Sequence, residues 1–277
     1  MNLTEELCYI TVRIETVRAN GVISVGTGYF VNFPTAEENV SVPLLVTNWH
    51  VVEGGEIGRL TFTRAGENGE PLAGEFETYR IDDFQRRWVK HPDPKIDLCA
   101  FPFAHLLNDA LARGKRIFYK AFGPEIFATS ELLSQLGAVE PILMVGYPVG
   151  LWDSVNNMPI FRQGVTATHP NRDYLGTCEF LIDAACFPGS SGSPVLLFQI
   201  GGYVDGSNNY QVGASRIALL GTLYAGPQFS ASGEIRVVTI PTDHKPIPVT
   251  NVPMNLGNVI KVEKLHAFRD IFVQKQS

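Results

Sequence analysis

Phe187-Pro188-Gly189-Ser190-Ser191-Gly192-Ser193-Pro194 is a turn of Pro, Gly and Ser set between two strand-sized apolar runs, Phe180-Leu181-Ile182 and Val195-Leu196-Leu197-Phe198. Its glycines open backbone conformations closed to other residues and let a second molecule come close to the main chain. A serine at the centre of such a turn can be presented beside unused backbone N–H groups, the setting that an acyl-transfer nucleophile requires. The same composition also describes an ordinary hairpin turn, so this stretch alone leaves both readings open.

Two other stretches narrow the choice. Leu44-Leu45-Val46-Thr47-Asn48-Trp49-His50-Val51-Val52 places a histidine at the end of a buried-type strand, and Lys95-Ile96-Asp97-Leu98-Cys99-Ala100-Phe101 opens a strand with an aspartate. The chain order is therefore His50, Asp97, Ser191. On these residues the sequence resembles the chymotrypsin-like serine peptidases, and most closely their DegP/HtrA branch. The likeness rests on Thr47-Asn48-Trp49-His50-Val51-Val52, Asp97-Leu98-Cys99-Ala100, the segment from Asp183 to Pro194, and Met144-Val145-Gly146-Tyr147-Pro148-Val149-Gly150-Leu151. It spans roughly residues 20–240.

The resemblance implies an all-β fold of two six-stranded antiparallel β-barrels with a helical connector insertion and a C-terminal helix. The expected layout is an N-terminal barrel over 1–104 carrying His50 and Asp97, a connector over 105–138, a C-terminal barrel over 139–250 carrying Ser191, and a closing segment with a helix over 251–277. The patterning agrees: short alternating runs such as Cys8-Tyr9-Ile10-Thr11-Val12-Arg13-Ile14-Glu15 are separated by turn residues, as in a barrel or sandwich. Further strands are expected near 86–90 and over 235–240, and a polar loop over 201–209. Helical spacing is found at Ala104–Gly114 and Ser130–Gly137, and again where Leu265, Phe268 and Phe272 share a face. No room is expected after residue 260 for the PDZ module that usually follows this domain in the branch.

The resemblance also implies roles. Ser191 is expected as nucleophile, His50 as general base and acid, and Asp97 as the group that orients and stabilises the imidazole. Asp93, Asp82 and Asp83 are rivals for the last role, but their surroundings read as loops. The N–H groups of Gly189 and Ser191 are expected to form an oxyanion hole. Ala185, six residues before the nucleophile, is expected at the pocket base, where it offers no charge to Lys or Arg; the alternative is a plain core alanine. Tyr224, Ala225 and Gly226 are expected to line the pocket and pair with substrate backbone. The preference before the cut is then a small or medium apolar side chain. Ser190 stands where digestive relatives carry an aspartate that pairs with a new N-terminus, so activation by that ion pair is not expected. Ser193 departs from the more usual glycine.

Composition bounds the rest. The chain of 277 residues has 45% hydrophobic and 18% charged residues, a globular balance. A net charge of −6 argues against nucleic acid, and nothing approaches the apolar length of a membrane span. The acidic Met1-Asn2-Leu3-Thr4-Glu5-Glu6 start lacks a secretory pattern, so a cytoplasmic protein is expected. Cys8, Cys99, Cys178 and Cys186 are expected as reduced thiols, with a Cys178–Cys186 bridge as the lesser alternative. The other histidines show no metal-ligand spacing and no phosphate loop is present, so neither metal nor cofactor is expected. The expected partners are a polypeptide substrate and a regulatory or targeting protein; the oligomeric state is not legible. Two other functions are weighed. An α/β-hydrolase esterase needs Gly-x-Ser-x-Gly and the order Ser, Asp, His, neither of which is met. A scaffold that keeps the fold without catalysis is opposed by the complete His50, Asp97 and Ser191 set.

Overall fold

The computed structural model describes residues 1–207, 209–225, 228–232, 249–253 and 255–273. After a short helix, α1 (Leu3–Glu6), the first alternating run becomes β1 (Thr11–Arg18), with Val12 and Ile14 buried. Gly21, at φ +78°, turns the chain back into β2 (Ile23–Pro34), antiparallel to β1. The chain continues through β3 (Ser41–Thr47), the single-turn α2 (Trp49–Val52), β4 (Gly55–Ala65), β5 (Pro71–Asp82), β6 (Val89–Lys90) and β7 (Cys99–Pro102). The connector holds α3 (Ala104–Ala112), β8 (Ile117–Phe118) and α4 (Ser130–Ser134).

The second half contains β9 (Pro141–Gly146), β10 (Ile160–Thr166), β11 (Glu179–Asp183), β12 (Pro194–Gln199), β13 (Gly202–Val204), β14 (Tyr210–Val212) and β15 (Arg216–Ala225). It ends with β16 (Gln228–Ser232), β17 (Val249–Pro253), β18 (Leu256–Lys261) and α5 (His266–Phe272). The strand expected over 235–240 lies outside the described residues.

The fold is all-β and of the chymotrypsin type. Strands β10-β11-β18-β15-β12-β9 close into a six-stranded antiparallel barrel. The first half is an eight-stranded sheet in the order β5-β4-β1-β2-β3-β7-β6, with β8 paired to β4. β6 is what remains of the strand expected near 86–90, and β8 adds a two-residue pairing from the connector. Part of the stretch expected as a strand near 86–90 is a 3-10 turn, Phe84–Arg87, which buries Phe84 against Trp88. The polar loop expected over 201–209 is framed by the β13–β14 hairpin, because the Asp205 carboxylate accepts from the backbone N–H groups of Ser207 and Asn209.

The period of two in β2 serves both halves. Phe30 turns into the first sheet among Phe62, Phe103 and Tyr119. Tyr29, Val31 and Phe33 face the other way and join the core of the barrel half. Burial of rings of this size supplies a large share of the hydrophobic stabilisation. Phe268 of α5 is fully buried in that shared core and meets the His91 ring edge-on at 5.7 Å, which fastens the end of the chain to the first half. All four cysteines are free, so the alternative Cys178–Cys186 bridge is absent; the Cys178 thiol donates instead to the Glu263 carboxylate.

Candidate active site

The pairing of β3 with β7 places Thr47 opposite Cys99, so the turns just beyond them, carrying His50 and Asp97, must meet. Asn48 fixes this junction by donating its side-chain amide to the Asp97 carbonyl at 2.8 Å. One carboxylate oxygen of Asp97 accepts the His50 backbone N–H at 3.1 Å, and the other faces the ring Nδ1 at 2.5 Å. Nδ1 therefore carries the proton toward Asp97, which leaves Nε2 as the basic nitrogen of the neutral ring. The rivals Asp82 and Asp83 flank the end of β5 and take no part in this contact.

Ser191 lies in the turn between β11 and β12, and a threonine from the first sheet joins that turn to the histidine side. The Thr27 N–H donates to the Ser191 carbonyl at 2.9 Å, and its hydroxyl to the Gly189 carbonyl at 3.0 Å. The Thr27 carbonyl in turn accepts from the Thr47 hydroxyl at 2.6 Å, three residues before His50. From the other side, the Gly192 N–H donates to the Leu223 carbonyl. The fold thus brings His50, Asp97 and Ser191 to one seam between its halves. The Ser191 hydroxyl itself donates to the Tyr224 carbonyl at 3.3 Å, and no hydrogen bond joins it to the His50 ring.

The backbone around Ser191 leaves two donors unused. Gly189 takes φ +88°, and the Pro188 carbonyl before it is turned away to accept the Val149 N–H at 2.5 Å. Neither the Gly189 N–H nor the Ser191 N–H has a partner among the described residues. Ser190 and Ser193 are both buried behind this turn, and their hydroxyls are unpartnered among the described residues.

The expected pocket residues are placed as follows. Ala185 is partly buried, and the neighbouring Cys186 is packed near Ile182, Leu223 and Gly257: a Cβ added at Gly257 would meet the Cys186 sulfur at 2.6 Å. Burial pushes the Cys186 thiol up to about 11, with Arg162 pulling the other way. Tyr224 is half-buried at the end of β15; burial, followed by its bond to Glu179, raises its phenol to about 12. Ala225 is the last residue of β15, while Gly226 lies outside the described residues.

Three contributors were not legible in the sequence. Thr27 sits in a Gly-Thr-Gly run whose pattern gives only a strand. Val149 lies in a stretch that carries the family likeness, but nothing in it marks the left-handed backbone or the bond to Pro188. Arg162 lies on β10, opposite the buried Met144, with its guanidinium over the Phe187 ring at 4.9 Å. No local periodicity reports such partners, because each contact joins segments far apart in the chain. No group of three or more metal-ligating side chains exists among the described residues, and no helix among them is long and apolar enough to cross a membrane.

A family model described as a trypsin-like peptidase domain matches residues 26–204. No curated protein matches the sequence. Among solved structures, the active form of the Rv3671c protease from M. tuberculosis is similar at 13% identity and a TM-score of 0.45, over 98% of this chain and 83% of that one. The inactive form of the Rv3671c protease gives 14% identity and a TM-score of 0.44, over 98% of this chain and 91% of that one. At these scores the structural likenesses add no weight to the family match.

Proposed function

This chain belongs to the trypsin-like peptidase family and is a serine endopeptidase; from that premise we propose that Ser191, His50 and Asp97 are its catalytic triad and that the Gly189 and Ser191 amides are its oxyanion hole. The observation that carries the reading is the pair of unused amides beside Ser191, at the same seam as the His50–Asp97 contact.

In this mechanism the Ser191 hydroxyl turns from the Tyr224 carbonyl to the Nε2 of His50, which removes its proton as Oγ bonds to the substrate carbonyl carbon. The carbonyl oxygen gains negative charge between the two amides, fixed donors that need no reorganisation at that moment. Asp97 stabilises the imidazolium and stays ionised. The imidazolium then protonates the departing amine as the C–N bond breaks. Water, deprotonated by His50, attacks the acyl carbon, and the Oγ–C bond breaks to release the acid and restore the hydroxyl.

The substrate is a polypeptide with a small or medium apolar residue before the cut. Ala185 supplies no counter-charge for Lys or Arg, and Ile182, Leu223 and Gly257 surround Cys186 with apolar contacts. The experiment is labelling with a fluorophosphonate probe. Wild-type protein is expected to take up the probe, and Ser191→Ala to lose all uptake. Labelling of Ser191→Ala at the wild-type rate, or wild-type protein inert to the probe, rejects the triad. Cleavage of a peptide library reads the pocket on the same preparation, with Ala, Val or Leu expected before the cut.

A further inference from the structure

The loop that turns the Pro188 peptide is held in a conformation its sequence disfavours. Val149 takes φ +53° and ψ +25°, the left-handed region, where a β-branched residue is an outlier. Burial does not hold it there, since the residue is 64% exposed. Yet this conformation aims the Val149 N–H at the Pro188 carbonyl. The loop packs directly on the next residue: a Cβ added at Gly189 would lie 2.6 Å from the Tyr147 carbonyl oxygen and 3.0 Å from the Val149 nitrogen. An outlier of this kind persists only where its surroundings enforce it.

The loop's own turn bonds, from the Gly150 N–H to the Tyr147 carbonyl at 3.0 Å and from the Leu151 N–H to the Pro148 carbonyl at 2.8 Å, are joined by contacts from β1, in the other half of the molecule. At the start of the loop, the Tyr147 hydroxyl donates to the Thr11 carbonyl at 3.4 Å. At its end, the Arg13 Nε donates to the Gly150 carbonyl at 3.3 Å. The Arg13 guanidinium also lies 4.2 Å from the centre of the Trp152 ring, a cation–π contact. Arg13 is itself steered by Glu15, whose second oxygen accepts from Arg59 at 3.4 Å. Its side chain is 15% exposed, so this geometry is largely withdrawn from water.

We propose that Arg13 is a positioning residue for the oxyanion hole: by gripping Gly150 and Trp152 it holds Val149 left-handed, which keeps the Pro188 carbonyl turned away and the Gly189 N–H turned toward substrate. Without the grip, Val149 relaxes to an ordinary conformation and its N–H leaves the Pro188 carbonyl. The Pro188–Gly189 peptide is then free to rotate, and the Gly189 donor is lost for part of the population. The inference rests on the proposed role of the Gly189 amide. It adds that the amide's orientation is set from the first sheet, through the strain at Val149.

The test measures the second-order rate of fluorophosphonate labelling, a reaction in which the phosphonyl oxygen occupies the same hole. Arg13→Ala is expected to lower the rate about 10- to 100-fold, short of the roughly 10²–10³ typical of complete loss of one donor. A general loss of folding would lower it too, so the deciding comparison is made in a Val149→Gly background. Glycine adopts the left-handed conformation freely, and there Arg13→Ala is expected to lower the rate by no more than about threefold, a coupling between the two sites. Trp152→Ala, a milder change at the protein surface, is expected to follow Arg13→Ala in both backgrounds with a smaller loss. An equal loss from Arg13→Ala in the wild-type and the Val149→Gly backgrounds overturns the inference and leaves the triad standing. Wild-type protein inert to the probe overturns both.

Discussion

Ser191 has three polar groups, and the fold gives each a different task. Its carbonyl is tied to Thr27, its hydroxyl rests on the Tyr224 carbonyl, and its N–H is left open. His50 is similarly divided, with its backbone N–H and its Nδ1 both committed to Asp97. Cys186, five residues upstream of Ser191, is a second nucleophile by residue type but not by environment. Burial raises its thiol to about 11, so at pH 8 only about one molecule in a thousand carries the reactive thiolate. Iodoacetamide at pH 8 is therefore expected to leave Cys186 unmodified in the folded protein and to alkylate it once guanidinium unfolds the chain. Peptide mass spectrometry checks this, and alkylation of Cys186 in the folded protein at the unfolded-state rate contradicts the buried setting.

At the scale of elements, the turn between β11 and β12 works only because its glycines admit close neighbours. Gly192 takes φ +86°, and an added Cβ would lie 1.9 Å from the Thr27 carbonyl oxygen and 2.4 Å from the Thr47 hydroxyl. Those atoms form the seam that brings the histidine side to the serine side, so they cannot yield without moving the site. Gly69 has a similar φ of +82°, but an added Cβ there meets nothing within 4 Å. The pair separates strain from collision. Gly69→Ala is expected to cost about 1 kcal/mol, and Gly192→Ala about 3 kcal/mol or more, with loss of probe labelling. Urea unfolding measures both; equal costs would show that backbone conformation alone, and not the packed seam, requires glycine at 192.

At the scale of the whole molecule, the site depends on two halves staying in register across a seam that is mostly apolar. Among the buried hydrogen bonds that cross it, one joins the Tyr29 phenol and the Thr222 hydroxyl, 2.7 Å apart and both fully enclosed. Burial holds the Tyr29 phenol well above its ordinary range, with the Thr222 bond opposing, so it stays neutral at any working pH. Tyr29→Phe leaves the Thr222 hydroxyl buried without this partner and is expected to cost about 1–3 kcal/mol in urea unfolding. A variant as stable as wild type would mean that the seam relaxes around the lost bond. The C-terminal segment adds another tie, through Phe268 of α5 against His91 and through Lys264 in the 3-10 turn before that helix, whose carbonyl lies 3.2 Å from the His91 ring.

The sequence by itself determined the strand-rich character, the order His50, Asp97, Ser191, the glycines of the nucleophile turn and the helical spacing of Leu265, Phe268 and Phe272. Each of these is written in local chemistry: a period of two or of about 3.6, a Gly-Ser-Ser-Gly turn, a polar residue ending an apolar run. The tertiary structure alone decided that the first half carries eight strands, that Thr27 binds the serine turn to Thr47, that Ser191 rests on Tyr224, and that Arg13 reaches Gly150 and Trp152. It also placed an arginine, Arg162, over Phe187. The physical reason is common to all of them. These contacts join segments brought together by the packing of two hydrophobic cores, and a one-dimensional pattern records which face a residue turns but not what it meets there.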